Sequence, residues 1–176
     1  MFNRRALQIA VAGALATGTL LTGSAGSAFA APPPPQSANV RVQGVIRTID
    51  DDGSSRPSAT KSFGFTTTLR SGDPVKVVTI PSACAGGEVR AELDIAMNYF
   101  QGTNTVTVGS GTNTRDAVRL FEGASSSTTD LDGVGPVPRT DISLLNSSFT
   151  RKISVGNLEE GGADGVSVEM TISRVP

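Results

Sequence analysis

Two stretches of this chain alternate apolar and polar residues at period two, and that alternation restricts the fold more than any other feature. From Glu88 to Tyr99, Val89, Ala91, Leu93, Ile95, Met97 and Tyr99 alternate with Arg90, Glu92, Asp94 and Asn98; only Ala96 blurs the polar side. From Gly165 to Val175, Val166, Val168, Met170 and Ile172 alternate with Ser167, Glu169, Thr171 and Ser173. Successive side chains of a strand point to opposite faces, so each stretch has one core face and one wet face. One wet face is the mark of an antiparallel sheet, because parallel sheets are covered on both sides.

Weaker strand signals fill the gaps. Val40 to Val42 leads into Val45 to Ile49, with Gly44 read as a bulge between them. Phe63, Phe65, Thr67 and Leu69 share a face, and Val75 to Ile80 is closed by Pro81. Thr105 to Val108, Ala117 to Phe121, Asp141 to Leu145 and Arg151 to Val155 complete the set. Turn residues such as Asp52-Gly53, Gly72-Asp73-Pro74, Gly86-Gly87 and Gly109-Ser110-Gly111 separate them. Eight or nine short strands without a helical pattern predict an all-β fold, an antiparallel β-sandwich of immunoglobulin-like or jelly-roll type over 39–176. A closed barrel is the alternative. Glu122 to Arg139 reads as one long connection, of the kind that is often functional.

The N-terminus has its own logic. Arg4 and Arg5 precede an uncharged, mostly apolar run from Ala6 to Leu21, and a small-residue stretch ends in Ala28-Phe29-Ala30. That order is the pattern of a cleavable secretory signal peptide of bacterial style, 1–30, forming a helix and cut near Ala30-Ala31. The run is shorter than the ~20 residues a membrane-spanning helix needs. Residues 31–38 carry Pro32-Pro33-Pro34-Pro35, read as a stiff polyproline spacer. The mature chain is thereby expected to be secreted and not inserted in a membrane. It keeps 13 of the 15 basic residues and all 16 acidic ones, a net charge of −3. An evenly mixed, weakly acidic balance gives no footprint for nucleic acid. Cys84 is the one cysteine, so no internal disulfide can form. It is read as a small buried hydrophobe, with a free thiol or an intermolecular bridge as the alternatives.

Several chemistries are ruled out by residue type. The chain has no histidine, which removes Ser-His-Asp triads, Cys-His pairs and His-containing zinc sites. No phosphate-binding glycine loop is present. Lys61, Lys76 and Lys152 fall on presumed strand surfaces. Glu92 and Asp94 lie two apart on the wet face of their strand, about 7 Å from Cβ to Cβ. That falls in the roughly 6.5–9.5 Å range of inverting glycosidases, although i, i+2 charges on a wet face are commonplace and a solvated face with Arg90 is the preferred reading.

The aspartate clusters are the most suggestive feature. Asp50, Asp51 and Asp52 end the first strand, and Asp130 and Asp132 sit in the long connection. Calcium takes several hard oxygen ligands of this type, so these five aspartates are the candidate metal ligands, with ordinary Asp-Gly turns as the competing reading. No other cofactor is implied. A sugar-binding face is usually built on exposed Trp or Tyr; there is no Trp, and Tyr99 falls on the core side. Phe63, Phe65, Phe100, Phe121 and Phe149 are read as core. The resulting expectation is a secreted, non-enzymatic β-sandwich acting in extracellular binding or as an envelope-associated module, its partner an extracellular ligand or protein. A calcium-assisted ligand- or carbohydrate-binding domain is the alternative, and a carboxylate-dependent glycoside hydrolase the third.

Overall fold

A computed structural model describes residues 32–51, 53–82, 84–112, 114, 116–123, 130–156 and 164–176. The helix expected over the leader, 1–30, lies outside the described residues. Ten strands and one 3-10 turn follow in order: β1 (Ser37–Ile49), β2 (Ser58–Arg70), β3 (Lys76–Pro81), β4 (Val89–Phe100), the turn Gln101–Thr103, β5 (Thr105–Val108), β6 (Ala117–Glu122), β7 (Leu131–Pro136), β8 (Thr140–Ile142), β9 (Ser148–Gly156) and β10 (Gly165–Val175). They form a four-stranded sheet, β2-β1-β10-β9, and a six-stranded sheet holding the rest. Every pairing is antiparallel. The two strongly alternating stretches are β4 and β10, each with its apolar side buried. Among the described residues no helix is long and apolar enough to cross a membrane.

The six strands of the larger sheet run along four paths. Met97 pairs with both Lys76 of β3 and Val108 of β5, and Leu93 with both Ile80 of β3 and Val118 of β6. A strand residue has one neighbour on each side, so β3 takes one edge of β4 while β5 and β6 share the other. Leu93 and Met97 are four residues apart on β4, while their partners Val118 and Val108 are ten apart on the return path. The surplus leaves the sheet as an excursion, of which 109–112, 114 and 116 are described. Asp116 at its end is fully buried, and its Oδ2 accepts the Ser110 N–H at 2.8 Å. Similarly β7 pairs with β6 and β8 with β5, forming one interrupted path.

Side chains close the seams between the sheets. Along one seam Lys61 of β2 donates to the Pro81 carbonyl (2.7 Å) and Lys76 of β3 to Thr67 Oγ1 (2.6 Å). Along the other, Val155 of β9 packs on Gly133 and Gly135, where a Cβ would sit 2.6 and 2.5 Å from its methyls. The order is thus up-and-down: β1, β2, then β3, β4, the β5/β6 path, the β7/β8 path, then β9 and β10 back onto β1. Immunoglobulin-like and jelly-roll sandwiches are defined by Greek-key crossovers, and this connectivity replaces that expectation. The inward faces share one core, in which Val40, Val42 and Ile46 of β1 meet Leu93, Ile95 and Met97 of β4 and Val168, Met170 and Ile172 of β10.

Three local expectations change. The long connection contains a strand, β7, whose Gly-rich sequence has little strand propensity; pairing with β6 and the close approach of β9 make it one. The proline run is no free spacer. Tyr99 Oη donates to the Pro35 carbonyl (2.7 Å), Gln101 Nε2 to Pro34 (3.1 Å) and the Ser71 N–H to Gln36 (3.0 Å). Polyproline carbonyls have no internal partner, so donors on the domain can take them. Gly44 makes no bulge: the ladder runs through it to Met170 and Phe63 without a break. Its missing Cβ makes room for the Phe63 ring, whose Cζ would lie 2.8 Å from one, and for the Glu169 carbonyl.

Gly44→Ala therefore forces overpacking and should lower stability by about 1–3 kcal/mol. Gly64→Ala on the same sheet meets nothing nearer than 3.6 Å and should differ little from the parent. Urea unfolding of the two variants checks the contrast; equal midpoints would remove the packing account of Gly44.

Candidate functional site

The outer face of the larger sheet carries the most organised set of polar groups, and β4 supplies its axis. Parity puts Arg90, Glu92, Asp94, Ala96, Asn98 and Phe100 outward. Phe100 follows buried Tyr99, so it must face solvent, and it is 48% exposed. Two clefts of about 230 and 640 Å³ share Phe100, Thr107 and Arg139 in their walls. Ala96 lines the smaller one with Gly109 and Ser110 of the excursion, whose Gly109 N–H donates to the Ala96 carbonyl at 2.8 Å. That cover accounts for the one interruption in the wet face of β4. Gln101, Thr105 and Asp141 extend the larger cleft.

Beside Phe100 the polar groups are fixed by one another. Arg139 follows Pro136-Val137-Pro138, a stiff run with Val137 buried. Its Nε donates to both carboxylate oxygens of Asp141, at 3.2 and 3.1 Å. The Thr107 hydroxyl donates to Asp141 Oδ1 at 2.6 Å. The Thr107 hydrogen bond, and after it the Arg139 guanidinium, hold the Asp141 carboxyl below the ordinary carboxylate range, against the opposing effect of burial. An exposed ring, a guanidinium and an ionised carboxylate thus stand in fixed relation around a cleft. That arrangement can stack on a ligand face and exchange directional hydrogen bonds with it.

The other candidates are placed as follows. Glu92 pairs with Arg90 at 2.9 Å, and Asp94 pairs with Arg119 while accepting the Thr79 hydroxyl at 2.6 Å. Each carboxylate of the proposed acid/base pair has its own arginine, and Arg90 stacks 4.2 Å over Phe121. The aspartate clusters come to one end of the domain. Ile49 pairs with Gly165 and Gly165 with Gly156, and the Gly156 carbonyl lies 3.2 Å from where a Gly133 Cβ would be. Asp50 is buried, with its carboxylate against Gly86. Asp51 accepts the Gly53 N–H and pairs with Arg56 at 2.9 Å, while its own N–H donates to Asp164 Oδ1 at 2.6 Å. Asp130 is exposed and Asp132 half-buried; Asp52 lies outside the described residues. Among the described residues no three His, Cys, Asp or Glu side chains form a group that could hold a metal ion.

Cys84 is exposed and free, which corrects the buried reading. Tyr99 is core, fully buried as its parity requires. The phenylalanines are not: Phe100 and Phe149 are exposed, Phe121 lies under Arg90, and Phe63 and Phe65 are only partly buried against the core. Phe100, Thr107, Arg139 and Asp141 were not legible as a set, because they come from four segments. The signal for Phe100 was present in its parity with Arg90, Glu92 and Asp94.

Acidification should separate the Asp141 set. A carboxyl with a depressed folded pKa contributes stability that is present above the unfolded value and is lost as pH falls through the folded one. NMR titration should find the Asp141 midpoint below 3.8, and Thr107→Val should move it upward. An unmoved midpoint in that variant would mean that the hydroxyl does not hold the carboxylate. No protein-family model, curated protein or solved structure matches this chain.

Proposed function

We propose that this is a secreted, non-enzymatic binding module of the extracellular space or cell envelope, and that the cleft beside Phe100 is its contact site. The observation that carries the reading is the exposed Phe100 ring next to the mutually fixed Thr107, Asp141 and Arg139. The one hydroxyl of that set, Thr107, donates to an Asp141 carboxylate that Arg139 also holds below the ordinary carboxylate range, which makes Asp141 a weak base, so the set suits recognition better than turnover. The signal-peptide pattern of 1–30 supports the compartment, and the ion pairs of Glu92 and Asp94 argue for a surface role over hydrolysis. Aromatic anchors at contact sites cost on the order of 1–3 kcal/mol when truncated. Phe100→Ala should therefore weaken cosedimentation of the chain with insoluble cell-wall polysaccharide about tenfold, with the melting temperature unchanged. Wild-type protein that stays in the supernatant at all wall concentrations sinks the reading.

A second reading, calcium assistance, is favoured by the shared end of Asp50, Asp51, Asp130 and Asp132. Ligand held only by the folded state raises stability by mass action. Millimolar calcium should then raise the melting temperature over that in chelator, and Asp130→Ala should reduce the rise; identical melting curves remove this reading and leave the first intact.

A further inference from the structure

The outer face of the four-stranded sheet has a charge pattern unlike the rest of the surface. Arg41 and Arg47 of β1 and Arg70 at the end of β2 point outward and are exposed. Among the described residues none of the three guanidinium groups has a hydrogen bond, ion pair or ring contact. Among the described residues the only acid on that face is Glu169, and Lys152 takes it at 3.1 Å. On the other sheet the outward arginines Arg90, Arg119 and Arg139 each hold a carboxylate. An acidic chain thus keeps three uncompensated cations on one face.

Their neighbours are hydroxyls. Arg41 lies between Thr66 and Ser173 in the sheet, and Arg47 between Thr60 and Ser167. Each of these two stations offers a planar guanidinium fork flanked by hydroxyls about 4.8 Å to either side, of which Ser173 Oγ makes a long bond to the Arg41 carbonyl at 3.4 Å. Such a set fits a tetrahedral oxyanion, because a guanidinium binds phosphate or sulfate bidentately and hydroxyls complete the remaining oxygens. Four residues of β1 separate the Arg70 row, which is that of Ser37, from Arg41, and six separate Arg41 from Arg47. At a rise of about 3.3 Å per residue the stations stand roughly 13 and 20 Å apart along the strands. One small anion cannot bridge them; an extended chain of anions can.

We propose that this face binds a linear polyanion bearing phosphate or sulfate groups, laid along β1. The surface is separate from the Phe100 cleft, which belongs to the other sheet, and the proposal does not depend on that site. The test is titration of the full secreted chain with labelled long-chain polyphosphate and, in parallel, with heparin. Retention of polyphosphate alone identifies phosphate, retention of heparin alone identifies sulfate, and either supports the face. Affinity should fall with salt, with a log–log slope of about −2 to −3 for three contacts. Arg41→Gln and Arg47→Gln should each weaken binding several-fold and reduce that slope by about 1. Arg56→Gln, at the acidic end beside Asp51, removes the same charge and should leave binding as it is. Chemical-shift mapping on the unsubstituted chain gives an independent readout, with shifts expected at Arg41, Arg47, Thr66 and Ser173. The proposal is overturned by absence of binding to both polymers at low ionic strength, by equal weakening in Arg56→Gln, or by shifts confined to the acidic loops.

Discussion

The ladder between β1 and β10 holds the domain together as one body. It runs from Asn39↔Val175 to Ile49↔Gly165, eleven pairs that join the first strand to the last. Each partner is already half of a hairpin, β1 with β2 and β10 with β9. Neither hairpin alone has both edges of a buried apolar face covered, and an isolated two-stranded hairpin is marginal in water. When the ladder forms, Val40, Val42 and Ile46 come beside Val168, Met170 and Ile172 as one apolar surface, and β4 of the other sheet covers it. Closing so long a loop costs more entropy than the local hairpins do, though the cost grows only slowly with length. Such non-local pairing belongs to slow-folding topologies.

That arrangement sorts polar groups by face, and the two faces treat their charges differently. On the outside of the larger sheet, Arg90, Arg119 and Arg139 are neutralised by Glu92, Asp94 and Asp141, and the charges serve to orient one another. The exposed pair of Arg139 and Asp141 contributes little stability, on the order of 0–1 kcal/mol. Their consequence is positional: the Arg139 and Asp141 groups beside Phe100 are set before any ligand arrives, which lowers the ordering cost of binding. On the outside of the smaller sheet Arg41, Arg47 and Arg70 have no partner among the described residues, so their charge is available to solution.

Strand existence and facing were legible where period two was strong. In β4 and β10 the alternation alone assigned every core residue, including Tyr99. It failed where tertiary contact overrides propensity. Leu131 to Pro136 has two glycines and a proline and reads as loop, yet those glycines are what allow Val155 to approach and the strand to form. Gly44 reads as a bulge because glycine weakens strands, but here it makes room for an aromatic ring from the next strand. Phe100 was placed inside by its hydrophobicity, while its parity already placed it outside; the period was the better guide. The site set was illegible because Thr107, Arg139 and Asp141 meet only through the β5–β8 pairing, which no local pattern encodes. The aspartates were legible as two clusters, and the strand register then brought Asp50 and Asp51 to the same end as Asp130 and Asp132.

The two ends of the domain are braced by different physics, and this bears on where a contact site can be rigid. At the acidic end Asp51 is held by Arg56, a side chain 63% exposed, so the bond is open to screening by salt. At the opposite end Arg174 is buried, and its guanidinium donates to the carbonyls of Asn104 (2.6 Å) and Ser143 (2.8 Å) and to Asn104 Oδ1 (2.6 Å). Tyr99 Oη reaches the same Asn104 oxygen at 3.0 Å and the Pro35 carbonyl at 2.7 Å. One buried cation thus ties the last strand to the turn after β4, to the loop after β8 and, through Tyr99, to the proline run. A buried charge bonded to carbonyls is screened far less than a surface pair, and removing it strands several acceptors at once. The turn it pins is the one that follows Phe100. Rigidity at that end is therefore built into the core: Arg174, buried on the far side of Tyr99, holds Asn104, the residue that closes the turn after Phe100.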